Sequence, residues 1–250
     1  MANYLITFSP TGGTAKCARI LAGALGGQWQ EIDLLCADCS AALSQNDLCI
    51  TAVPSYGGRV PPVATRRLGQ ISGNGAKAVL LCVYGNRAYE DTLVELQDTL
   101  ETQEFRPIAA VAALAEHSIM HRFAAGRPDA EDMKILTDFA GQIAAKLSSG
   151  NFSAPSLPGN RPYKEYKVAP MVPTADEGCV RCGECAAKCP VDAIDGASPE
   201  KADPAVCISC MRCIAVCPAG IRGLDAGMLD GLIRRLQHAL GGRKENELFL

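Results

Sequence analysis

The sequence predicts an α/β fold in which a doubly wound, parallel sheet of five strands is followed by a small α+β domain. Three observations lead to this prediction. Apolar, β-rich segments alternate with helical segments through residues 1–150, a pattern typical of parallel strands joined by crossover helices. Prolines interrupt every periodic pattern in residues 151–174. Eight of the 13 cysteines then lie between residues 179 and 217. We therefore expect domains at 1–150 and 175–250, joined by a Pro-rich linker at 151–174.

The predicted strands of the first domain are short apolar runs, and the predicted helices have apolar residues at helical spacing. The strands are expected at 4–8, 29–34, 48–53, 78–84 and 108–115. The helices are expected at 15–25, 64–71, 91–102 and 129–147. The spacing of the loops predicts the strand order 2-1-3-4-5, in which ligands bind beyond the carboxyl ends of the strands.

One more helix is predicted after the cysteine-rich segment. An apolar stripe recurs there at helical spacing, and two glycines follow it as a termination signal. We expect this stripe to pack into a core; its members are Met228, Leu229, Leu232, Ile233, Leu236 and Leu240.

Composition and charge exclude several classes of protein. The hydrophobic content of 48% suffices for a core, and the net charge is only −3, from 24 basic and 27 acidic residues. These values argue against disorder and against a nucleic-acid partner. Residues 1–10 do not resemble a signal peptide, and the longest apolar runs are about half the ~18 to 20 residues that a membrane helix needs. We expect a cytoplasmic protein without a membrane partner, in a compartment where thiols stay reduced.

The clustered cysteines form a repeated motif, C-x2-C-x2-C-x3-C-P. Three thiolates spaced in this way on a tight turn suit three corners of a cubane, and the fourth cysteine of each run ligates the cluster of the other run. The motif therefore predicts two 4Fe-4S clusters with crossed ligand sets. Cluster 1 would be held by Cys179, Cys182, Cys185 and Cys217, and cluster 2 by Cys207, Cys210, Cys213 and Cys189.

Zinc is the alternative, because pairs of C-x2-C also form tetrahedral sites with four sulfur ligands. The third cysteine of each run and the proline that follows the fourth do not suit a zinc knuckle. Residues 175–224 resemble the bacterial two-cluster ferredoxins, and every cysteine of the motif is present. That resemblance favours iron–sulfur clusters over zinc.

A loop of small and hydroxyl residues follows the first predicted strand and opens the first helix. Backbone N–H groups and the positive end of the helix dipole make such a loop an anion site. Its spacing is that of neither a Walker loop nor a G-x-G-x-x-G turn. It matches the S/T-x-T-G-x-T phosphate loop of flavodoxins, and that resemblance implies an FMN phosphate bound without help from Lys16. The residues expected to bind it are Ser9, Thr11, Gly12, Gly13 and Thr14.

The loops after the third and fourth strands correspond to those that hold the isoalloxazine ring in flavodoxins. Each brings aromatic residues and glycine, and the resemblance implies that a Gly57 or Gly58 peptide accepts a hydrogen bond from reduced flavin, while Asn86 suits the pyrimidine edge. Ordinary loop packing is the alternative for each tyrosine. The predicted ring contacts are Pro54, Ser55, Tyr56, Gly57, Gly58, Tyr84, Gly85, Asn86 and Tyr89.

Other residues carry weaker signals. Cys17, Cys49 and Cys82 fall in predicted helices or strands, and we expect them to be buried packing residues. The solitary pair Cys36 and Cys39 lacks the further ligands that a metal site needs. His117 and His121 follow the fifth strand, where we expect a surface loop near the flavin edge.

Nearly the whole chain resembles the flavodoxin–ferredoxin fusion proteins of anaerobic microbes. The residues that carry this resemblance are 9–14, 83–87, 116–118 and 179–218. It implies an electron-transfer iron–sulfur flavoprotein, because FMN exchanges one or two electrons and each cluster exchanges one. The sequence has no second nucleotide fingerprint for NAD(P)H. We therefore expect an electron carrier that serves a redox partner protein, rather than a stand-alone oxidoreductase.

Two alternative functions remain open at this stage. The protein would be an enzyme if FMN reduced a small acceptor such as a quinone, with the clusters passing electrons to FMN within the protein. It would be a redox or oxygen sensor if intact clusters controlled the binding of a partner.

Overall fold

The computed structural model describes residues 2–167 and 171–250, so residues 168–170 of the predicted linker lie outside the described part. The main sheet is built from β1 (Asn3–Thr7), β2 (Trp29–Asp33), β4 (Leu48–Pro54), β6 (Lys77–Tyr84), β7 (Arg106–Leu114) and β10 (Glu247–Phe249). Two small sheets pair β3 (Ala41–Ala42) with β5 (Ile71–Ser72) and β8 (Thr174–Ala175) with β9 (Arg222–Gly223). The helices are α1 (Gly13–Leu25), α2 (Pro62–Leu68), α3 (Thr92–Thr102), α4 (Ala130–Ser148), α5 (Glu184–Ala187), α6 (Arg212–Ala215) and α7 (Ala226–Leu240).

The predicted α/β class is confirmed, with five parallel strands between two layers of helices. The order across the main sheet is β10-β7-β6-β4-β1-β2. Counting only the five strands predicted from the sequence, this order reads 5-4-3-1-2. Helices α1 and α4 cover one face of the sheet, and α2 and α3 cover the other. Every residue of β4 is buried, because a parallel sheet covered on both faces favours continuous apolar strands.

The end of the chain departs from the prediction. No strand was expected after α7, yet β10 pairs antiparallel with β7 at the edge of the main sheet. Asn246 anchors this strand: its Oδ1 accepts a hydrogen bond from Leu114 N at 2.9 Å, and its Nδ2 donates to Asp132 Oδ1 at 2.8 Å. A strand of three residues is too short to show a two-residue alternation. The chain thus returns to the first sheet after the cysteine-rich segment, and the expected domain limits stay predictions.

The described part of the linker is fastened to α3 and to the residue before it. Asp91 accepts hydrogen bonds from the backbone N–H groups of Asn160 and Lys164, and Arg161 forms an ion pair with Asp98. The guanidinium of Arg59 lies 4.8 Å from the centre of the Tyr163 ring. The linker is therefore held to the first domain by polar contacts.

Helix α7 packs its apolar stripe against the rest of the molecule, with one exception. Leu232 and Leu240 are buried in a cluster with Met120 and Met211. Met228, which was expected in this stripe, is 52% exposed; it lies in the first turn, beside the Asp225 cap. Among the described residues, no helix is both long and apolar enough to cross a membrane.

Candidate functional site

A cavity of about 500 Å³ lies at the carboxyl ends of the parallel strands. The loops after β1, β4, β6 and β7 form one side of it. The linker, the cysteine-rich segment and α7 form the other side. The predicted residues that line it are Thr11, Gly13, Thr14, Pro54, Ser55, Tyr56, Gly57, Tyr84 and Gly85.

The loop that opens α1 presents neutral donors to this cavity. The first turn of α1 contains no acidic residue, and N–H groups in a first turn have no partner within the helix. Ser9 does not line the cavity; its Oγ instead accepts a hydrogen bond from Ala15 N, in the first turn of α1, at 2.9 Å. Lys16 turns away and donates to Pro128 O at 2.9 Å. The loop thus suits an anion such as a phosphate without a basic side chain.

Two glycines allow close backbone packing in the wall of the cavity, beside the predicted ring contacts. Gly57 has φ 61°, and a Cβ there would lie 2.1 Å from Lys167 O. A Cβ on Gly85 would lie 2.8 Å from the Cα of His117. Contacts of this length are not tolerated, so both positions require glycine.

Several predicted ring contacts do not reach the cavity. Asn86 is buried, and its Nδ2 donates to Leu240 O at 2.6 Å and to Gly242 O at 2.7 Å. It therefore holds the end of α7 and is not placed to meet a pyrimidine edge. Tyr89 donates to Glu247 Oε2 at 3.1 Å and packs edge-on against Tyr84. Gly58 likewise does not line the cavity, and neither does Gly12 of the predicted phosphate loop.

His117 is a cavity residue to which the sequence assigned no role. Its Nδ1 accepts hydrogen bonds from Ile119 N at 3.1 Å and Met120 N at 3.2 Å. In the neutral ring the proton therefore resides on Nε2. Burial, assisted by the positive charges of His121 and Arg87, lowers the pKa of His117 to about 4. His117 is thus a neutral donor at neutral pH.

The two histidines do not form a metal pair. His121 Nδ1 lies 2.7 Å from Glu116 Oε1, and Glu116 Oε2 accepts a hydrogen bond from Gly126 N. His121 is exposed, whereas His117 faces the backbone of its own loop and the cavity. In the sequence, residues 116–118 were the only signal that this loop forms part of the cavity wall.

The cysteine-rich segment supplies a part of the cavity that no local pattern indicated. Ile208 and Ser209, which lie between Cys207 and Cys210, are lining residues. Arg212 fixes this contact by donating from Nη1 to Pro10 O, in the loop before α1, at 3.1 Å. Leu232, Arg235 and Leu236 of α7 complete the wall.

The structure brings together the four cysteines predicted for cluster 2. Burial raises the pKa of Cys210 to about 12, and the neighbouring Cys213, Cys189 and Cys207 add to this increase. Cys210 and Cys213 are each 9% exposed. Backbone N–H groups also point at two of these sulfurs, from Ala193 to Cys189 at 3.3 Å and from Ser209 to Cys207 at 3.5 Å.

The four cysteines predicted for cluster 1 line a second, smaller cavity. Burial raises the pKa of Cys217, but hydrogen bonds from the backbone N–H groups of residues 219–222 outweigh burial and hold the pKa below its ordinary value. Such donors favour a thiolate, the form that ligates iron. Cys182 is exposed, so this set lies nearer to solvent than the cluster 2 set. The crossed pairing stays a prediction, and these placements agree with it.

In the described residues, no three His, Cys, Asp or Glu side chains are placed to hold one metal ion. The ligands of a cubane bind four separate irons, so they need not converge on one point.

The three cysteines that were expected to be packing residues, Cys17, Cys49 and Cys82, are fully buried. Burial raises the pKa of each of these thiols.

Comparison with protein families identifies the cysteine-rich segment. Residues 178–221 match the model of the 4Fe-4S dicluster domain family. The iron–sulfur prediction is thereby confirmed in preference to zinc. A search of curated protein sequences found no significant match.

Three solved structures of low sequence identity are similar to the first domain. Flavodoxin from Streptococcus pneumoniae TIGR4 is 18% identical, with 58% of this chain and 99% of that chain covered and a TM-score of 0.41. Flavodoxin 1 from Bacillus cereus is 13% identical, with 58% and 98% covered and a TM-score of 0.39. Rubredoxin oxygen:oxidoreductase from Desulfovibrio gigas is 17% identical, with 59% and 36% covered and a TM-score of 0.41. This chain thus spans only about a third of that last protein.

Proposed function

We propose that this chain, a flavodoxin-like domain fused to a 4Fe-4S dicluster domain, is an electron-transfer iron–sulfur flavoprotein with FMN in the larger cavity. One observation carries the proposal. A single cavity is lined both by the anion-binding loop of the first domain and by Ile208 and Ser209, which lie between two predicted cluster ligands. Ligand sites of this kind lie at the carboxyl ends of strands in doubly wound sheets.

The residues present fit FMN in charge and shape. Thr11 and Thr14 bring hydroxyl groups to the phosphate end, where the helix dipole favours an anion. Tyr56 and Tyr84 bring aromatic rings to the cavity, and Gly85 lets His117 pack directly against its backbone as part of the wall. When bound, FMN exchanges one or two electrons, whereas each cluster exchanges one.

The two cysteine sets have different places relative to this cavity. Tyr56 lines the cavity and also lies close enough to Cys210 to interact with its charge. The set of Cys189, Cys207, Cys210 and Cys213 is therefore proximal to the flavin position. The set that includes the exposed Cys182 is distal and faces solvent. We infer that a redox partner protein exchanges electrons at the distal set.

The first test measures cofactor content in anaerobically reconstituted protein. We expect about eight irons per chain, as two four-iron clusters require, and one FMN released by acid. Iron near zero with stoichiometric zinc would overturn the iron–sulfur assignment, and recovery of FAD or of no flavin would overturn the FMN assignment.

The second test measures transfer between the two modules. Under anaerobic conditions a one-electron donor should bleach the flavin rapidly in the wild type and at least tenfold more slowly in Cys210→Ser. Cys36→Ser is the matched control, because Cys36 is an exposed cysteine outside both sets. Equal rates in all three proteins would contradict transfer through the proximal set. Steady turnover of a small quinone without any protein partner would favour the enzyme instead of the carrier.

A further inference from the structure

Arg222 is a buried cation that contacts one predicted cluster site and lies close to the other. Its side chain is only 3% exposed. The Nη1 group donates to Cys185 Sγ, in the distal set, at 3.7 Å. The positive charge of Arg222 also acts on Cys213 and Cys207, in the proximal set, and α6, which carries Cys213, lies against β9, which carries Arg222. One side chain thus joins two sets of ligands that the sequence motif treats as separate.

The other partners of Arg222 are neutral. Nη1 also donates to Pro199 O at 2.5 Å, and Nη2 donates to Pro173 O at 3.0 Å. Nε is buried without a hydrogen-bond partner in the described residues. Within that same part of the chain, no carboxylate forms an ion pair with this guanidinium. Burying a cation without a counter-charge is costly, so the position needs negative charge from another source.

The two cysteine sets supply that charge once they are ligated. A cubane held by four thiolates is anionic, and adding an electron makes it more so. A guanidinium fixed in a site of low dielectric favours the more negative form strongly. Hydrogen bonds and charge near the sulfurs are the means by which a protein sets cluster potentials.

The backbone holds Arg222 rigidly in this position. Arg222 lies in β9, paired with Ala175 of β8. Its own N–H is one of the groups that donate to Cys217. Both the main chain and the side chain of Arg222 therefore contact predicted cluster ligands.

We infer that Arg222 is a shared electrostatic bridge between the two clusters, a positioning residue that raises the reduction potentials of both. The inference rests on the proposed function, because it requires both clusters. It extends that function because one cation acts on both clusters, so that the reduction potentials of the distal and proximal clusters are set together. Each cluster gains one electron on reduction, and Arg222 stabilises both reduced forms without changing its own charge.

The test is a redox titration of the reconstituted protein, with each cluster followed by electron paramagnetic resonance. In Arg222→Met both midpoint potentials should fall, by at least the equivalent of a tenfold change in a one-electron equilibrium, about 59 mV. Lys188→Gln is the matched control: it removes an exposed positive charge that lies between Cys185 and Cys189 in the chain, and its potentials should stay near those of the wild type. Unchanged potentials in Arg222→Met, or a change in one cluster only, would overturn the inference.

A second variant covers the case in which Arg222→Met does not retain its iron. Arg222→Lys keeps the positive charge but loses the planar guanidinium, so both potentials should stay within about 59 mV of the wild type. A larger fall of both potentials in Arg222→Lys, with both clusters retained, would assign the effect to packing and not to charge, and would overturn the bridge. A wild type without two clusters would instead overturn the proposed function, so the two failures are distinguishable.

Discussion

Arg67 donates a hydrogen bond from Nη2 to the carbonyl oxygen of Pro190 at 2.8 Å. Its Nη1 donates to Leu34 O at 2.7 Å. Arg67 lies in α2 of the first domain, and Pro190 directly follows the predicted cluster ligand Cys189. A single buried side chain therefore joins the flavodoxin-like domain to the loop that carries a cluster ligand.

Replacement of Arg67 should destabilise the protein. In Arg67→Met the carbonyl groups of Leu34 and Pro190 lose their donor while they remain buried, which costs roughly 1–3 kcal/mol for each group left unsatisfied. Urea denaturation of the reconstituted protein would measure the loss in the free energy of unfolding. The control is Arg66→Met, because Arg66 is the exposed neighbour in the same helix. Equal stability of the two variants would show that the bridge contributes nothing.

The crossed ligation predicts which cluster each cysteine variant affects. Cys189→Ser should perturb the spectrum of the cluster held by Cys207, Cys210 and Cys213, although Cys189 belongs to the other run of the motif. Cys185→Ser should perturb the other cluster. Electron paramagnetic resonance of the reduced proteins distinguishes the two. If Cys189→Ser and Cys185→Ser damaged the same cluster, the crossed assignment would be wrong.

The glycine after β6 should be required for flavin binding. In Gly85→Ala the new methyl group would lie 2.8 Å from His117 atoms, so the wall of the cavity must shift. We expect the Kd for FMN to rise at least tenfold, equivalent to about 1.4 kcal/mol, in a fluorescence-quenching titration. Gly23→Ala in α1 is the control, because a Cβ there meets nothing within 4 Å. Unchanged affinity in Gly85→Ala would place the flavin elsewhere.

The buried His117 should make the protein less stable in mild acid. Burial lowers its folded-state pKa from 6.5 to about 4. Between these values the unfolded chain binds a proton that the folded chain does not, so stability falls as the pH drops below 6.5. From pH 7 to pH 5.5 the loss should be roughly 1 kcal/mol from this group. Denaturation of the wild type and of His117→Gln at both pH values measures this loss in the free energy of unfolding.

The control and the choice of pH range isolate this effect. The carboxyl groups whose pKa is lowered, such as Glu90 and Asp129, have unfolded pKa values below pH 5, so they titrate outside the range. His238→Gln is the matched control and should keep the pH dependence of the wild type, because His238 is exposed and is not among the charges that act on His117. If His117→Gln kept the same pH dependence as the wild type, the acid sensitivity would belong to another group.

Patterns that are local in the chain were sufficient to predict the five parallel strands, the crossover helices and the cofactor motifs. The continuous apolar run of β4 marks a strand buried on both faces, and the spacing of Cys179, Cys182 and Cys185 marks a turn around a cluster. The phosphate loop at 9–14 is also predictable from local sequence, because a strand, a turn and the start of a helix follow each other directly there. In each case the physical signal is contained in neighbouring residues.

Tertiary structure alone decided how these parts meet. Asn86 sits in a predicted flavin loop, yet its amide is used by the end of α7, 154 residues away in the chain. Ile208 and Ser209 line the larger cavity, and Arg222 lies close to both cysteine sets. No periodicity or spacing encodes these contacts, because they depend on which distant surfaces pack together and which buried polar groups must find partners. The sequence by itself therefore determined the fold class and the cofactor motifs, and the packing of distant segments on one another decided which residues adjoin each site.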